Sequence, residues 1–196
     1  MNIMSSLTRE QASKITYDNI LAVATDLFMR DGYQKTSTRD IAKICQITQP
    51  NLYHHFKNKE VLYIAVLTRF TEGIQEDLVA ISRKNDPVQD RLLEMILYLL
   101  QLQPTNLMGM LQDIATELSY DNRLSMYQLF EATYKQPLTD LLKKMPIKDE
   151  FTHEEIVNFI LYHLAAMMSI DNQLTPVSLK EQANHFVKIL FEGALK

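Results

Sequence analysis

Between Ser37 and Lys59 the chain gathers side chains suited to gripping a polyanion. Gln49, Asn51, Tyr53 and His55 can reach base edges or phosphates, and a glutamine amide matches adenine bidentately. Arg39 and Lys59 fall in the first turns of expected helices. A helix N-terminus carries partial positive charge, so a cation there is unfavourable unless an anion sits nearby. A phosphate would satisfy the free N–H groups, the dipole and the cation together, and the Thr38 hydroxyl adds a donor at the first of these starts. Residues 30–60 carry Arg30, Lys35, Arg39, Lys43, Lys57 and Lys59 against Asp31, Asp40 and Glu60, with Tyr33, Tyr53, His54, His55 and Phe56 interleaved. Residues 1–60 have a net charge of +2 and the remainder −6, for a total of −4. A basic segment on an acidic body binds a polyanion locally while the body repels it.

Other chemistry is thinly represented. The four glycines form neither GxGxxG nor GxxxxGK[ST], which removes the common nucleotide-binding loops. Cys45 is the single cysteine, so no disulfide can form within the chain, and it lies on the apolar face of its helix. No Cys–His or Ser–His arrangement rises above background. Glu150 and His153 match the E-x-x-H spacing of di-iron bundles, but such a centre needs two such pairs and two further glutamates. His54 and His55, adjacent on a helix, point too far apart to share an ion. The expectation is a protein that is not an enzyme and uses no metal or cofactor. The opening residues lack the pattern of a secretory signal, and the longest apolar stretch, Met95 to Leu100, is too short to span a bilayer. A cytoplasmic protein without a membrane partner is expected.

The elements that must position these groups are helices. With 46% hydrophobic and 22% charged residues, four glycines and six prolines, the composition favours an all-α fold. Apolar spacing predicts a helix over about 15–31, with Ile15, Asn19, Ala22, Val23 and Leu27 on one face and Asp31-Gly32 as its stop. A short helix over 38–45 follows, capped by Ser37, with Asp40 in the capping-box position. Another over 49–55 is capped by Thr48, with Pro50 in its first turn. Two short helices joined by about three residues outline a helix-turn-helix. Asn58 caps a long helix to about 82, and Asp86-Pro87 starts the next, ended by Pro104. Thr105 opens a helix to about Leu118, and a further helix over 122–144 is kinked or broken by Pro137. Thr152 and Glu155 form a capping box for a helix to about 170, with Phe151 stapled to Ile156. Thr175-Pro176 begins the last helix, which ends near Gly193. The natural boundary lies near Asn58, giving domains 1–60 and 61–196.

In the second domain, residues expected to face the interior include Met95, Tyr98, Leu102, Met108, Met110, Met126, Tyr127, Phe130, Tyr134, Tyr162, His163 and Met167. Methionine adapts to irregular shapes, and spaces between helices are common ligand sites. An effector cavity using Met95, Tyr98, Met110, Tyr127, Phe130, Tyr134, His163 and Met167 is therefore expected, suited to an uncharged or aromatic molecule. Leu161, Leu164, Ala165 and Met168 with Phe186, Ile189, Leu190 and Ala194 offer apolar faces for dimerisation, since obligate dimers share core-like interfaces.

The stretch from Ala24 to Leu62 resembles the DNA-binding domain of the TetR family of bacterial transcription regulators. Leu27, Phe28, Gly32, Thr36, Ser37, Ile41, Ala42, Leu52, Tyr53, His55 or Phe56, Lys59 and Leu62 fall in register with that family's pattern. The resemblance implies an N-terminal three-helix, helix-turn-helix domain followed by a larger helical bundle that binds a small molecule and dimerises. Its implied partners are double-stranded, palindromic operator DNA, a small-molecule effector and a second copy of the chain. Its implied roles are backbone and edge contacts for Thr38 and Arg39, base reading for Gln49, Pro50 and Asn51, phosphate or base contacts for Tyr53 and His55, and a phosphate contact for Lys59. Leu52 and Phe56 match core positions. Where the family commonly has glycine in the turn, this chain has Gln46. The function implied is a repressor released by ligand, which shifts the spacing of the two recognition helices through the 58–82 helix. The alternatives are a small-molecule-binding bundle without DNA function and a di-metal carboxylate enzyme.

Overall fold

The computed structural model describes residues 8–102, 107–169 and 178–193, and these are helical with no β-strand among them. In chain order the helices are α1 (Arg9–Lys35), α2 (Thr38–Ile44), α3 (Gln49–His55), α4 (Lys59–Thr71), α5 (Ile74–Ser82), α6 (Val88–Leu102), α7 (Leu107–Glu117) and α8 (Tyr120–Phe130). A π-turn (Glu131–Lys135) leads into α9 (Gln136–Leu142), followed by α10 (His153–Ser169) and α11 (Leu179–Gly193). The expected boundaries at Pro104, Thr105 and Thr175-Pro176, together with Ala194 and the side chain of Met108, lie outside the described residues.

Two apolar cores organise the chain. The first is built on Ile20, Leu21, Ala24, Leu27 and Phe28 of α1, Ile41 and Ala42 of α2, and Leu52 of α3 with Phe56 just beyond it. It is completed by Leu62, Tyr63, Val66 and Leu67 of α4 and, from far along the chain, by Met110, Ile114, Leu118 and Met126. The second joins α5, α6, α9, α10 and α11, with Leu78, Leu92, Ile96, Leu138, Leu142, Val157 and Ile160 among its fully buried side chains. Each such side chain withdrawn from water contributes roughly 1.5–3 kcal/mol.

Helix starts follow local chemistry. Ser37 Oγ accepts from the Asp40 N–H (3.1 Å), Thr48 Oγ1 from Asn51 (3.3 Å) and Asn58 Oδ1 from Val61 (2.8 Å). Thr152 and Glu155 complete a reciprocal box, with Glu155 Oε2 accepting the Thr152 N–H and Thr152 Oγ1 the Glu155 N–H. Ser178 and Glu181 form the same box before α11, an S-x-x-E signal that fixes its start at Leu179.

Four features differ from the sequence expectations. Helix α1 begins at Arg9, where Thr8 and Gln11 form a capping box, and it buries the Ile20, Leu21, Ala24, Leu27 and Phe28 stripe; Ile15 is 55% exposed. Gly32, at φ 81°, interrupts α1, but helical turns continue to Lys35. The expected 58–82 helix is two helices, because Gly73 adopts φ 83° between α4 and α5. The interruption expected at Pro137 takes the form of a π-turn before it, and Pro137 itself sits in the first turn of α9. The wider turn accommodates a residue that lacks an N–H and crowds the carbonyl four positions earlier.

The turn between α2 and α3 is a Schellman closure. The Ile47 N–H reaches the Ala42 carbonyl (3.0 Å) and the Gln46 N–H the Lys43 carbonyl (3.2 Å). This geometry places Gln46 at φ 57°, the left-handed region that favours glycine. A side chain there costs about 1 kcal/mol or more. Gln46→Gly is therefore expected to raise stability by up to about 1 kcal/mol, since glycine's extra unfolded-state entropy offsets part of the relief. For a chain of this size that is an upward shift of about 2–4 °C in thermal midpoint. A lowered midpoint would show that the glutamine side chain contributes a contact of its own.

Candidate DNA-binding surface and ligand cavity

Helix α3 projects from the first core by burying Leu52 and leaving Pro50, Asn51, Tyr53 and His54 exposed. Gln49 is half-buried. Thr38, only 7% exposed, stands behind this face. Its hydroxyl accepts from Gln49 Nε2 (3.1 Å) and pairs with the Tyr53 hydroxyl (3.0 Å). Thr38 thus positions two presenting side chains. Arg39 lies beside them, exposed, on the first turn of α2. His55 meets the Tyr17 ring edge-on at 6.4 Å, while Phe56 stacks on Tyr17 at 4.7 Å. Burial, then the neighbouring His54, pushes the His55 imidazole below its ordinary pKa.

Lys59 opens α4 and lies over the Tyr33 ring, its Nζ 4.2 Å from the centroid. Burial lowers its pKa, while Glu117 and Asp113 oppose that shift. Tyr33 is itself held from the other half of the chain: its N–H, freed by the break at Gly32, donates to Asp113 Oδ2 (2.9 Å). The Tyr63 hydroxyl donates to the same oxygen (3.3 Å), and Gln34 Nε2 to Glu117 Oε1 (2.8 Å). Glu60 Oε1 accepts from the Ser119 N–H (2.6 Å), the Ser119 hydroxyl (2.8 Å) and Asn122 Nδ2 (2.9 Å). These bonds form a polar clasp from the α1–α4 region to α7 and α8. The sequence reading missed it, because an acceptor about 80 residues away leaves no local signature.

The clasp has a pH dependence. Burial raises the Glu60 pKa, but the bonds from Asn122 and Ser119 outweigh it and hold the carboxyl below its ordinary 4.5. A depressed folded-state pKa means stability that is present above pH 4.5 and lost as pH falls through the folded value. Glu60→Gln is expected to flatten the acid limb of stability against pH, measured by chemical denaturation between pH 7 and about 3.5. An unchanged acid limb would place the acid sensitivity elsewhere.

A cavity of about 430 Å³ opens between the second core and α7–α8. Tyr127, Phe130, Glu131, Tyr134 and Lys135 line it from α8 and the π-turn, Asn158, Leu161, Tyr162, Leu164, Ala165 and Met168 from α10. Phe70, Ile74, Leu99, Leu102 and Leu111 close the rest. Phe130 and Tyr134 rings lie 5.0 Å apart, and burial pushes the Tyr134 hydroxyl up to about 12, so it stays protonated. Lys135 Nζ pairs with Glu131 (3.1 Å) and Glu154 (2.9 Å). A second, 40 Å³ space toward the first core shares Phe70, Leu111, Phe130 and Tyr134 with this cavity and is also lined by Met110.

Of the expected effector residues, Tyr127, Phe130 and Tyr134 line the main cavity. Met95 and Met167 are buried in the second core, and Met110 in the first. The Tyr98 hydroxyl donates to Asp77, and His163 stacks on Phe186 at 4.0 Å, away from the lining. Glu131 and Lys135 extend the Tyr127 face by four and eight residues, a spacing that would have revealed them. Of the expected dimerisation residues, Leu161, Leu164, Ala165 and Met168 line the cavity, and Phe186 and Leu190 are buried in the second core. Ile189 is 65% exposed, alongside Phe159 at 54% and Tyr162 at 75%, which the sequence reading did not assign to dimerisation. Among the described residues no three His, Cys, Asp or Glu side chains come together as a metal site. His153, of the E-x-x-H pair, bonds the Met145 carbonyl. No helix among the described residues is long and apolar enough to cross a membrane.

Comparison with known proteins places these features. Residues 20–66 match the family described as bacterial regulatory proteins, tetR family. The HTH-type transcriptional regulator QacR of Staphylococcus aureus is 46% identical over 50 residues, covering 26% of this chain and 27% of QacR. The HTH-type transcriptional repressor KstR2 of Mycolicibacterium smegmatis is 40% identical over 57 residues, covering 29% of this chain and 28% of that protein. The chain thus aligns with about a quarter of the length of these relatives. Over nearly its whole length it shares the fold of AibR, solved in complex with isovaleryl coenzyme A and operator DNA: the TM-score is 0.72 at 21% identity, covering 90% of this chain and 98% of that one. The segment that matches the tetR family lies within the first core, and the described helices share the fold of a solved member of similar length.

Proposed function

We propose that the chain is a homodimeric transcription repressor that grips a palindromic operator through α3 and lets go when a small molecule enters the cavity. The observation that carries this reading is the presenting face of α3, where buried Thr38 holds Gln49 and Tyr53 while Asn51 stands free to solvent. Side chains fixed in advance lose less entropy on binding. Gln49 and Asn51 read base edges in the major groove, Pro50 and Tyr53 pack against the same groove wall, and Arg39, His55 and Lys59 hold phosphates. KstR2 is named a repressor, and AibR was solved with operator DNA and an acyl-coenzyme A.

Release runs through α7. Leu111 faces the cavity, and Asp113, two residues on, holds Tyr33, over which Lys59 lies. A ligand that favours another setting of α7 changes the support of the phosphate-holding lysine and the orientation of α3. It shifts the population only by its differential affinity for the two settings. The lever is α4 joined to α7 by the clasp, since the break at Gly73 separates α4 from α5. Dimerisation uses the exposed apolar residues Phe159, Tyr162 and Ile189 on α10 and α11.

The test is anisotropy of labelled duplexes at fixed salt. A fragment from the region upstream of the protein's own reading frame should bind at least about 10³-fold tighter than a shuffled fragment. Equal affinity for both would reject a sequence-specific regulator and favour a ligand-binding bundle.

A further inference from the structure

We propose that the cavity takes an aromatic monocation, an ammonium or amidinium head on a flat apolar body; this rests on the cavity being the effector site. The sequence alone suggested an uncharged or aromatic molecule; the placement of charge in the structure narrows the class. Among the described lining residues the one cation, Lys135, has a side chain 16% exposed and already held between Glu131 and Glu154. An anionic ligand would have to approach it against two carboxylates already in place. Two carboxylates against one ammonium leave a net negative charge at that wall, and the Glu131 side chain is 58% exposed.

The rest of the lining fits the same occupant. Tyr127, Phe130, Tyr134 and Tyr162 contribute aromatic rings, and a ring face attracts a cation through its quadrupole. Tyr134 stays a neutral phenol, so the carboxylate remains the negative pole. The π-turn, Glu131–Lys135, belongs to this wall, and such turns concentrate at functional sites. Leu99, Leu102, Leu161 and Met168 offer the apolar body its surface. The cation head therefore sits among the rings beside Glu131, and the body extends toward α6 and α10.

Three matched probes test this on the full-length protein by isothermal titration calorimetry: (2-naphthylmethyl)trimethylammonium, its uncharged isostere with carbon in place of nitrogen, and 2-naphthylacetate. The cation is expected to bind at least tenfold tighter than the isostere, with the carboxylate weakest. Glu131→Gln should remove most of the cation's advantage and leave the isostere unchanged; Lys135 keeps Glu154, so the fold is preserved. Lys135→Gln should tighten the cation further and leave the carboxylate no weaker. Equal affinity for cation and isostere, tighter binding of the carboxylate, or no binding of any probe would overturn the assignment. If the cation binds with the expected Glu131 dependence but leaves the protein's grip on DNA unchanged, the ligand class stands and the effector reading fails.

Discussion

Replacing Lys59 by alanine is expected to weaken binding to every duplex alike, whereas Gln49→Ala relaxes the choice of base at one position in each half-site. Lys59 is a point charge at the start of α4, and a phosphate contact carries no sequence information. Losing it from both protomers removes two phosphate contacts, so the slope of log affinity against log salt becomes shallower by roughly 2. The Tyr33 ring under its Nζ favours the charged form, burial lowers its pKa, and an incoming phosphate would oppose that lowering. Gln49 behaves differently because Thr38 fixes its amide. Its removal costs roughly 1–3 kcal/mol per half-site on the preferred base and little on the others. Thr38→Val should imitate Gln49→Ala in part, since it frees both Gln49 and Tyr53 without touching a phosphate. Equal losses on all sequences from both Lys59→Ala and Gln49→Ala would refute this division of roles.

The second large effect is expected from the double substitution Phe159→Glu and Ile189→Glu. Both side chains lie mostly in solvent, at 54% and 65% exposure, on α10 and α11. A protomer therefore folds without them, and their loss falls on association. Charges placed on both copies of a two-fold face meet like charges. Size-exclusion with light scattering should show a monomer, with secondary structure and thermal midpoint of the protomer largely kept. Specific DNA binding should drop by at least 10²-fold, because a single half-site forfeits the second set of contacts. A dimer that survives both substitutions would move the interface elsewhere.

Much of the first core and its presenting face was legible in the sequence because the signals are local. Ser37, Thr48 and Asn58 cap within three residues, and the left-handed residue at Gln46 stands where the resembled family commonly has glycine. The buried face of α1 was misjudged, since the 27-residue helix has apolar residues on more than one side and its partners, α4 and α7, are distant in sequence. The split at Gly73 was missed although Glu76 and Asp77 mark a new first turn just after it. On α10 both faces are apolar. Periodicity alone therefore could not tell that Leu164, Ala165 and Met168 line a cavity while Phe159 faces solvent. The clasp on Asp113 and Glu60 was beyond reach for the same reason as the α1 face: its partners meet only once the fold is made.

The central claim is that the α2–α3 face reads one half of a two-fold DNA site. Selection of bound duplexes from a random-sequence pool, followed by titration of the winner against salt, tests it most directly. The expected result is an inverted repeat whose half-sites lie one helical turn, about 34 Å, or a multiple of it apart, with a steep salt dependence that Lys59→Ala makes shallower. A pool that emerges without an enriched motif, or an affinity indifferent to salt, would contradict it.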